Sequence, residues 1–258
     1  MKVLGIIPAR MASSRFPNKP MALICGMPMI EHIYKRTLLS KLLDEVYVAT
    51  CDNEILDYIT SIGGNAILTK NTHERATERS AEALSLIQEL NNEKYDLVIM
   101  IQGDEPLIMP QMIDSLVQEL RSDKSIQVAN LMQELKNKND INNPNLVKVV
   151  KNKENIALYF SREPIPSSKN YKNNFSSYKQ LGLIGFTNKS IIDFVSLKPT
   201  TLEIIESIDM NRFIENHYKI KMVITSISSD GVDTAEDCVK ANLLMKNDPL
   251  FPKYKKWK

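Results

Sequence analysis

Residues 3–8 (VLGIIP) form a short apolar run with the length and composition of a buried β-strand. The run leads into residues 9–20 (ARMASSRFPNKP), which hold three cations, Arg10, Arg15 and Lys19, together with two serines and two prolines. A loop at the carboxyl end of a parallel strand is where open α/β sheets bind ligands. Because arginine and lysine both hold phosphate oxygens, this loop predicts a polyphosphate site; a solvated basic turn is the alternative.

Further strands and helices alternate after this loop. Glu45–Thr50 (EVYVAT) and residues 65–68 read as strands, and helices are predicted near 29–39 and up to the Gly63-Gly64 pair. Leu97–Ile101 (LVIMI) is the most apolar strand, so we place it centrally. This alternation predicts an α/β fold with a mostly parallel, doubly wound sheet.

Composition excludes several classes of protein. The chain has 258 residues, 43% of them hydrophobic, and a net charge of only +2, which disfavours a nucleic-acid binder with a broad basic surface. The three cysteines are far apart and show no CxxC spacing, so neither a disulfide scaffold nor a zinc site is expected. With no apolar run of membrane-spanning length and no signal peptide, the predicted location is cytoplasmic.

Carboxylates follow the central strand directly. Residues 102–106 (QGDEP) place Asp104 after a glycine at the end of that strand, where it can hold Mg²⁺ against phosphates. A simple turn is the alternative interpretation of the Gly-Asp pair. Glu105 is a second candidate, or else a cap for the helix predicted to begin near Pro110.

Four segments resemble one enzyme family. They are residues 6–21 (IIPARMASSRFPNKPM), 102–108 (QGDEPLI), 157–166 (ALYFSREPIP) and 231–238 (GVDTAEDC). Together they are similar to the cytidylyltransferases that activate 3-deoxy-manno-octulosonate (Kdo), the CMP-Kdo synthetases. The resemblance implies a Rossmann-like nucleotidyltransferase fold and Mg²⁺-dependent transfer of CMP from CTP to an acidic sugar with release of pyrophosphate. It also implies a homodimer that makes precursors of surface polysaccharide, either lipopolysaccharide or capsule.

The resemblance assigns the nucleotide and metal residues. Residues 73–79 (HERATER) occupy the place of the family pattern His-x-Ser-Gly-Thr-Asp-Arg, with Arg75 and Ala76 in place of Ser-Gly. The two aspartates that hold magnesium in the family correspond to Asp104 and Asp233 here. The residues expected to act in catalysis are Arg10, Lys19, Asp104 and Asp233. Those expected to bind the nucleotide are Pro8, Ala9, Arg10, Arg15, Lys19, Thr77, Arg79, Gln102 and Gly103.

We expect one cytidylyltransferase domain over 1–258, with a core at about 1–120 and 221–247 and an acceptor and dimerisation lobe at about 121–220.

The acceptor side departs from the family pattern. Arg162 matches the family's acceptor-side arginine, whereas Gln180 replaces a histidine and Asp209-Met210 replace a Glu-Gln pair that contacts the sugar. Because sites that hydrogen-bond hydroxyls discriminate strongly, these changes predict an acceptor other than Kdo itself.

Three alternatives therefore remain open on the acceptor side. The acceptor is a related acidic sugar, or it is a non-sugar anion such as a phosphonate. The third is that the three changes are drift within a Kdo enzyme. A non-catalytic nucleotide-binding relative is a further possibility, which retention of both aspartates and all three loop cations disfavours.

Overall fold

The structure, a computed structural model, describes residues 1–12, 15–167, 175–229 and 231–257. The strands are β1 Val3–Ala9, β2 Leu23–Ile24, β3 Met27–Pro28, β4 Glu45–Thr50, β5 Ala66–Leu68, β6 Leu97–Ile101, β7 Val128–Glu134, β8 Lys148–Lys151, β9 Ala157–Ser161, β10 Tyr178–Thr187 and β11 Ile220–Thr225. The helices are α1 Met29–Thr37, α2 Asn53–Ser61, α3 Ala76–Asn91, α4 Pro110–Ser122, α5 Asn188–Ser196, α6 Thr201–Glu206, α7 Asp209–Glu215, α8 Ala235–Lys246 and α9 Phe251–Tyr254.

Among the described residues, a nine-stranded sheet organises these elements. Its main path runs β11-β7-β10-β6-β1-β4-β5, and β8 and β9 pair beside β10. Strands β6, β1, β4 and β5 are mutually parallel neighbours, and β11 is parallel to β7. Strand β10 runs antiparallel between β6 and β7. The predicted fold class, an α/β fold with a mostly parallel sheet, is confirmed.

Strand β1 shows why helices cover both faces of the sheet. Its side chains alternate, so Val3 and Ile7 join one buried cluster while Leu4 and Ile6 join the other. Helices α1, α2, α4 and α8 supply the first cluster, and α3, α5 and α7 supply the second. A strand buried on both faces must be apolar at nearly every position, as VLGIIP is.

Some boundaries differ from the sequence prediction. The helix predicted near 29–39 ends at Thr37, and the strand predicted at 65–68 begins at Ala66. Strand β10 begins at Tyr178 and includes Gln180, a residue that the resemblance assigned to the acceptor side. The division into a core and a lobe at residues 120 and 220 stays a prediction. Between those limits β7 and β10 belong to the main sheet, and β8 and β9 lie off its path.

Within these described residues, none of the helices combines the length and the apolar character needed to cross a membrane.

Candidate active site

The site lies where two parallel strands end. In the β1–β6 pair Ile6 lies opposite Met100, so the loops that follow both strands leave the same edge of the sheet. These loops are very close, because a Cβ atom built on Gly103 would lie 2.6 Å from the carbonyl oxygen of Pro8. Glycine at position 103 therefore allows the first loop and the Asp104 loop to form adjacent walls of one site.

The opening loop folds back on itself. The Met11 N–H donates a hydrogen bond to Asp52 at 2.8 Å, and the Asn18 N–H donates to the Met11 carbonyl at 3.2 Å. Asn18 adopts a left-handed conformation (φ 57°), and the 3-10 helix with Lys19 follows immediately. Two residues of this loop, Ser13 and Ser14, lie outside the described residues. The loop is thus a defined turn that directs Lys19 into the site.

Lys19 joins the two aspartates that were predicted to meet. Its Nζ lies 2.8 Å from Asp104 Oδ2 and 3.3 Å from Asp233 Oδ1, and Arg15 donates a hydrogen bond to Asp233 Oδ1 at 3.0 Å. The backbone secures this meeting, because the Val232 N–H donates to the Asp104 carbonyl at 2.8 Å. The structure therefore brings together four of the predicted residues, although Asp233 follows Asp104 by more than a hundred positions.

The donor set suits a hard cation. Two carboxylates already surround one positive charge, and oxygen ligands are those that Mg²⁺ prefers. In the described part of the chain, no group of three or more His, Cys, Asp or Glu side chains could hold a metal ion.

A cavity of about 330 Å³ opens beside these carboxylates. It is lined by Pro8, Ala9, Arg10, Ala12, Arg15, Lys19, Pro20, His73, Glu74, Arg75, Ala76, Arg79, Gln102, Gly103 and Asp104. Five of these side chains are cations and two are carboxylates, so the cavity favours a polyanion. All of the residues predicted to bind the nucleotide line it except Thr77.

The turn before α3 holds its two predicted residues differently. Arg79 is buried, and its guanidinium donates to the Thr69 hydroxyl and the Lys70 carbonyl, which fixes it in the cavity wall. Thr77 is fully buried, and its hydroxyl donates to Asp209 Oδ2 at 2.8 Å. Thr77 thus connects this turn to α7 instead of facing the cavity.

Arg75, where the family pattern has serine, also connects this turn to helices α6 and α7. It lines the cavity, and its Nη1 donates to the Ser207 hydroxyl at 2.9 Å. Its Nε lies 3.5 Å from Glu203 and 3.6 Å from Asp209. Burial raises the pKa of the Asp209 carboxyl, against the hydrogen bond from Thr77 and the charge of Arg75, which lower it.

The predicted acceptor residues mostly make internal contacts. Met210 is fully buried in the cluster under α3, α5 and α7, and the Gln180 amide donates to Asn130 at 2.6 Å. Arg162 donates to the carbonyl oxygens of Glu206 at 2.8 Å and Pro144 at 3.1 Å. None of these three, nor Asp209, lines the cavity formed by the described residues. Their assignment to the acceptor stays a prediction.

Glu105 has a role that the sequence analysis did not find. The alternative that it caps the next helix is wrong, because Met109 holds the N-cap position of α4. Its carboxylate is buried and accepts hydrogen bonds from the Gly182 N–H at 3.0 Å and the Ser229 hydroxyl at 2.7 Å. Burial raises the pKa of this carboxyl to about 7, the Ser229 hydrogen bond opposes that rise, and the charge of Asp104 adds to it.

Asn145 is the second side chain that the sequence left unmarked. Its amide oxygen accepts a hydrogen bond from Arg15 at 3.3 Å, so the loop before β8 touches the opening loop. Nothing local to residues 143–146 distinguishes Asn145 from other asparagines in that polar segment. The residues that neighbour Asn145 in the sequence do not indicate such a long-range contact.

The chain is similar to known proteins over most of its length. Residues 4–221 match the family described as Cytidylyltransferase. The 3-deoxy-manno-octulosonate cytidylyltransferase of Thermodesulfovibrio yellowstonii is 43% identical over 245 residues, covering 92% of this chain and 95% of that protein. The corresponding protein of Fusobacterium nucleatum is 44% identical over 237 residues, covering 92% and 94%.

The structural comparison gives the same answer. A CMP:2-keto-3-deoxy-manno-octonic acid synthetase solved with CTP aligns with a TM-score of 0.88 and 34% identity, covering 96% of this chain and 99% of that one. A 4-diphosphocytidyl-2C-methyl-D-erythritol synthase from Anaerococcus prevotii, 17% identical, aligns over 95% of this chain and 96% of that one with a TM-score of 0.60 and shares the fold. Family, relatives and site geometry agree, and the chain belongs to the cytidylyltransferase family of the CMP-Kdo synthetases.

Proposed function

We propose that this enzyme transfers CMP from CTP to Kdo or a closely related ulosonic acid, releasing pyrophosphate. The observation that carries the proposal is the meeting of Lys19 with Asp104 and Asp233 beside a cationic cavity. The named substrates of the relatives support the choice of nucleotide and acid. The product would serve as a precursor of lipopolysaccharide or capsule.

The chain's own residues account for the main demands of nucleotidyl transfer. An acceptor oxygen attacks the α-phosphorus of CTP in line, and the bond to pyrophosphate breaks. This chemistry requires positioning and neutralisation of phosphate charge, which Arg10, Arg15 and Lys19 provide from one loop. Asp104 and Asp233 would hold Mg²⁺, which when bound supplies further neutralisation of the phosphate oxygens. An ionised acceptor oxygen requires no general base.

The internal contacts of the altered residues favour Kdo or a close relative as acceptor. Met210 and Gln180 pack or hydrogen-bond within the protein, so their replacement is a weaker reason to expect a different acid than the sequence alone suggested. The relatives matched over more than 90% of this chain act on Kdo by name. A non-sugar anion such as a phosphonate is therefore the second candidate.

A pyrophosphate-release assay tests the proposal. The enzyme is incubated with Mg²⁺ and each of CTP, UTP, ATP and GTP, and with Kdo beside other ulosonic acids and small phosphonates. We expect turnover with CTP and with Kdo or another ulosonic acid. Turnover with phosphonates alone would overturn the acceptor assignment. CTP binding without turnover on any acid would indicate a nucleotide-binding relative that is not an enzyme.

Arg75 gives a testable prediction at the cavity wall. Changing Arg75 to serine removes one cation from the cavity and breaks its contacts with Ser207, Glu203 and Asp209. Loss of a charge-assisted contact to the triphosphate is expected to raise KM for CTP about tenfold. Serine is the better N-cap residue for α3, which offsets part of the stability lost with the contacts to Glu203 and Asp209, so the melting temperature should fall only slightly.

The matched control for this variant is Arg121→Ser, at the exposed end of α4. It removes an equal charge far from the cavity, and KM for CTP should stay at the wild-type value. An unchanged KM in Arg75→Ser would show that the guanidinium serves only its contacts with α6 and α7.

We further propose a homodimer in the cytoplasm. Among the described residues, α6 exposes Ile204 and Ile205, and β9 exposes Leu158, all within the predicted dimerisation lobe. The three cysteines are unpaired, which suits a reducing compartment. Light scattering coupled to size-exclusion chromatography measures the assembly, and a mass near the 29.4 kDa of one chain would contradict the dimer.

A further inference from the structure

We propose that Glu105 is a positioning residue that holds Asp104 and Asp233 in register for the metal-bound triphosphate. The inference rests on the proposed function and adds to it a residue that does not touch substrate. Its basis is a set of hydrogen bonds that join three separate parts of the chain: the loop after β6, strand β10 and the loop after β11.

The carboxylate of Glu105 joins two loops to a strand. One oxygen accepts the N–H of Gly182 in β10 at 3.0 Å, and the other accepts the hydroxyl of Ser229 in the loop after β11 at 2.7 Å. Glu105 and Ser229 are 6% and 3% exposed, so these bonds are shielded from water. Glu105 follows Asp104 directly, and Ser229 precedes Asp233 by four residues.

Backbone bonds beside this carboxylate turn the contact into a rigid frame. The Gln102 N–H donates to the Gly182 carbonyl at 3.1 Å, and the Val232 N–H donates to the Asp104 carbonyl at 2.8 Å. Asp104 is therefore fixed on both sides, to β10 by the bonds of Gln102 and Glu105 and to the Asp233 loop by the bonds of its own carbonyl and Ser229.

The packing around Gly182 leaves little freedom in this frame. A Cβ atom at position 182 would lie 2.8 Å from Glu105 Oε1, so the strand approaches the carboxylate as closely as glycine allows. Burying a carboxylate next to another one is costly in stability. A neutral core residue would fill the space at lower cost but would tie neither loop. The arrangement therefore favours placement of Asp104 and Asp233 over stability.

The test measures metal binding directly. Mn²⁺, which takes the same oxygen ligands as Mg²⁺, is titrated into enzyme and CTP without acceptor, and free Mn²⁺ is followed by electron paramagnetic resonance. We expect Glu105→Ala to weaken Mn²⁺ binding about 10- to 100-fold, the usual effect of losing a residue that orients a metal ligand. Ser229→Ala should weaken it less, because one of the two bonds remains. Ser228→Ala, on the exposed neighbouring residue, is the control and should bind as wild type.

The conservative variant separates positioning from plain stability. Glu105→Gln can still accept from Gly182 and can donate to the Ser229 hydroxyl, so it should restore Mn²⁺ binding to near the wild-type level. If Glu105→Ala and Ser229→Ala only lower the melting temperature and bind Mn²⁺ as wild type does, the positioning role is overturned. It is also overturned if Glu105→Gln binds as weakly as Glu105→Ala. Wild-type enzyme that binds no Mn²⁺ with CTP would instead overturn the proposed function, and the positioning role with it.

Discussion

Replacing Asp233 with asparagine is expected to lower kcat for pyrophosphate release about 100- to 1,000-fold. The amide keeps the shape of the side chain but removes the charge that would hold the cation, and metal assistance contributes several kcal/mol to such reactions. Asp104→Asn should have an effect of similar size, because both carboxylates contact the same lysine ammonium and would share one ion. The measurement is initial rate at saturating CTP and acceptor over a range of Mg²⁺ concentrations.

The double variant sharpens this prediction. Residues that act as a unit are not additive, so Asp104→Asn with Asp233→Asn should be little worse than either change alone. Asp57→Asn, on the exposed face of α2, is the control and should keep wild-type kcat. A kcat within tenfold of wild type in both single variants would contradict a shared metal site.

Lys19→Met is expected to lower kcat about 100- to 1,000-fold, as the loss of one preorganised charge contact to a transition state does. Methionine retains an unbranched side chain but removes the ammonium that neutralises phosphate. A second readout distinguishes this from a folding defect. Without Lys19, the ammonium that contacts both carboxylates is lost and only Arg15 still contacts Asp233, so Mn²⁺ should bind more tightly than to wild type when CTP is absent.

The control for this variant is Lys41→Met, which removes an exposed lysine outside the cavity and should change neither quantity. Weaker Mn²⁺ binding by Lys19→Met in the absence of CTP would contradict the view that the ammonium competes with a cation for the two aspartates.

The sequence alone predicted the features that short stretches of chain determine, namely the buried strands and the loop residues that follow them. The apolar run 3–8 had to be buried on both faces, and the cations and Asp104 follow directly from strands β1 and β6 that end at one edge. These residues line the cavity. Asp233 was identified by the resemblance to the family, and a doubly wound sheet, which brings distant strand ends together, allows it to meet Asp104.

Contacts between distant side chains were not predictable. Thr77 and Asp209 are 132 positions apart, and Glu105 and Ser229 are 124 apart, so no local pattern marks either pair. The antiparallel insertion of β10 between β6 and β7 was equally hidden, because an apolar strand carries no mark of its direction. The resemblance to relatives identified Arg162 and Met210 but could not show what their side chains contact.

The separation of Lys19 from its partners has a consequence for how the enzyme is made. Lys19 is 85 residues from Asp104 and 214 from Asp233. During synthesis, which proceeds from the N-terminus, β1, β4, β5 and β6 can pair as soon as residue 101 has left the ribosome. Asp233, which completes the proposed catalytic group, emerges more than a hundred positions later. On the proposed function, a nascent or truncated chain would therefore acquire much of its sheet while remaining catalytically inert until Asp233 is translated.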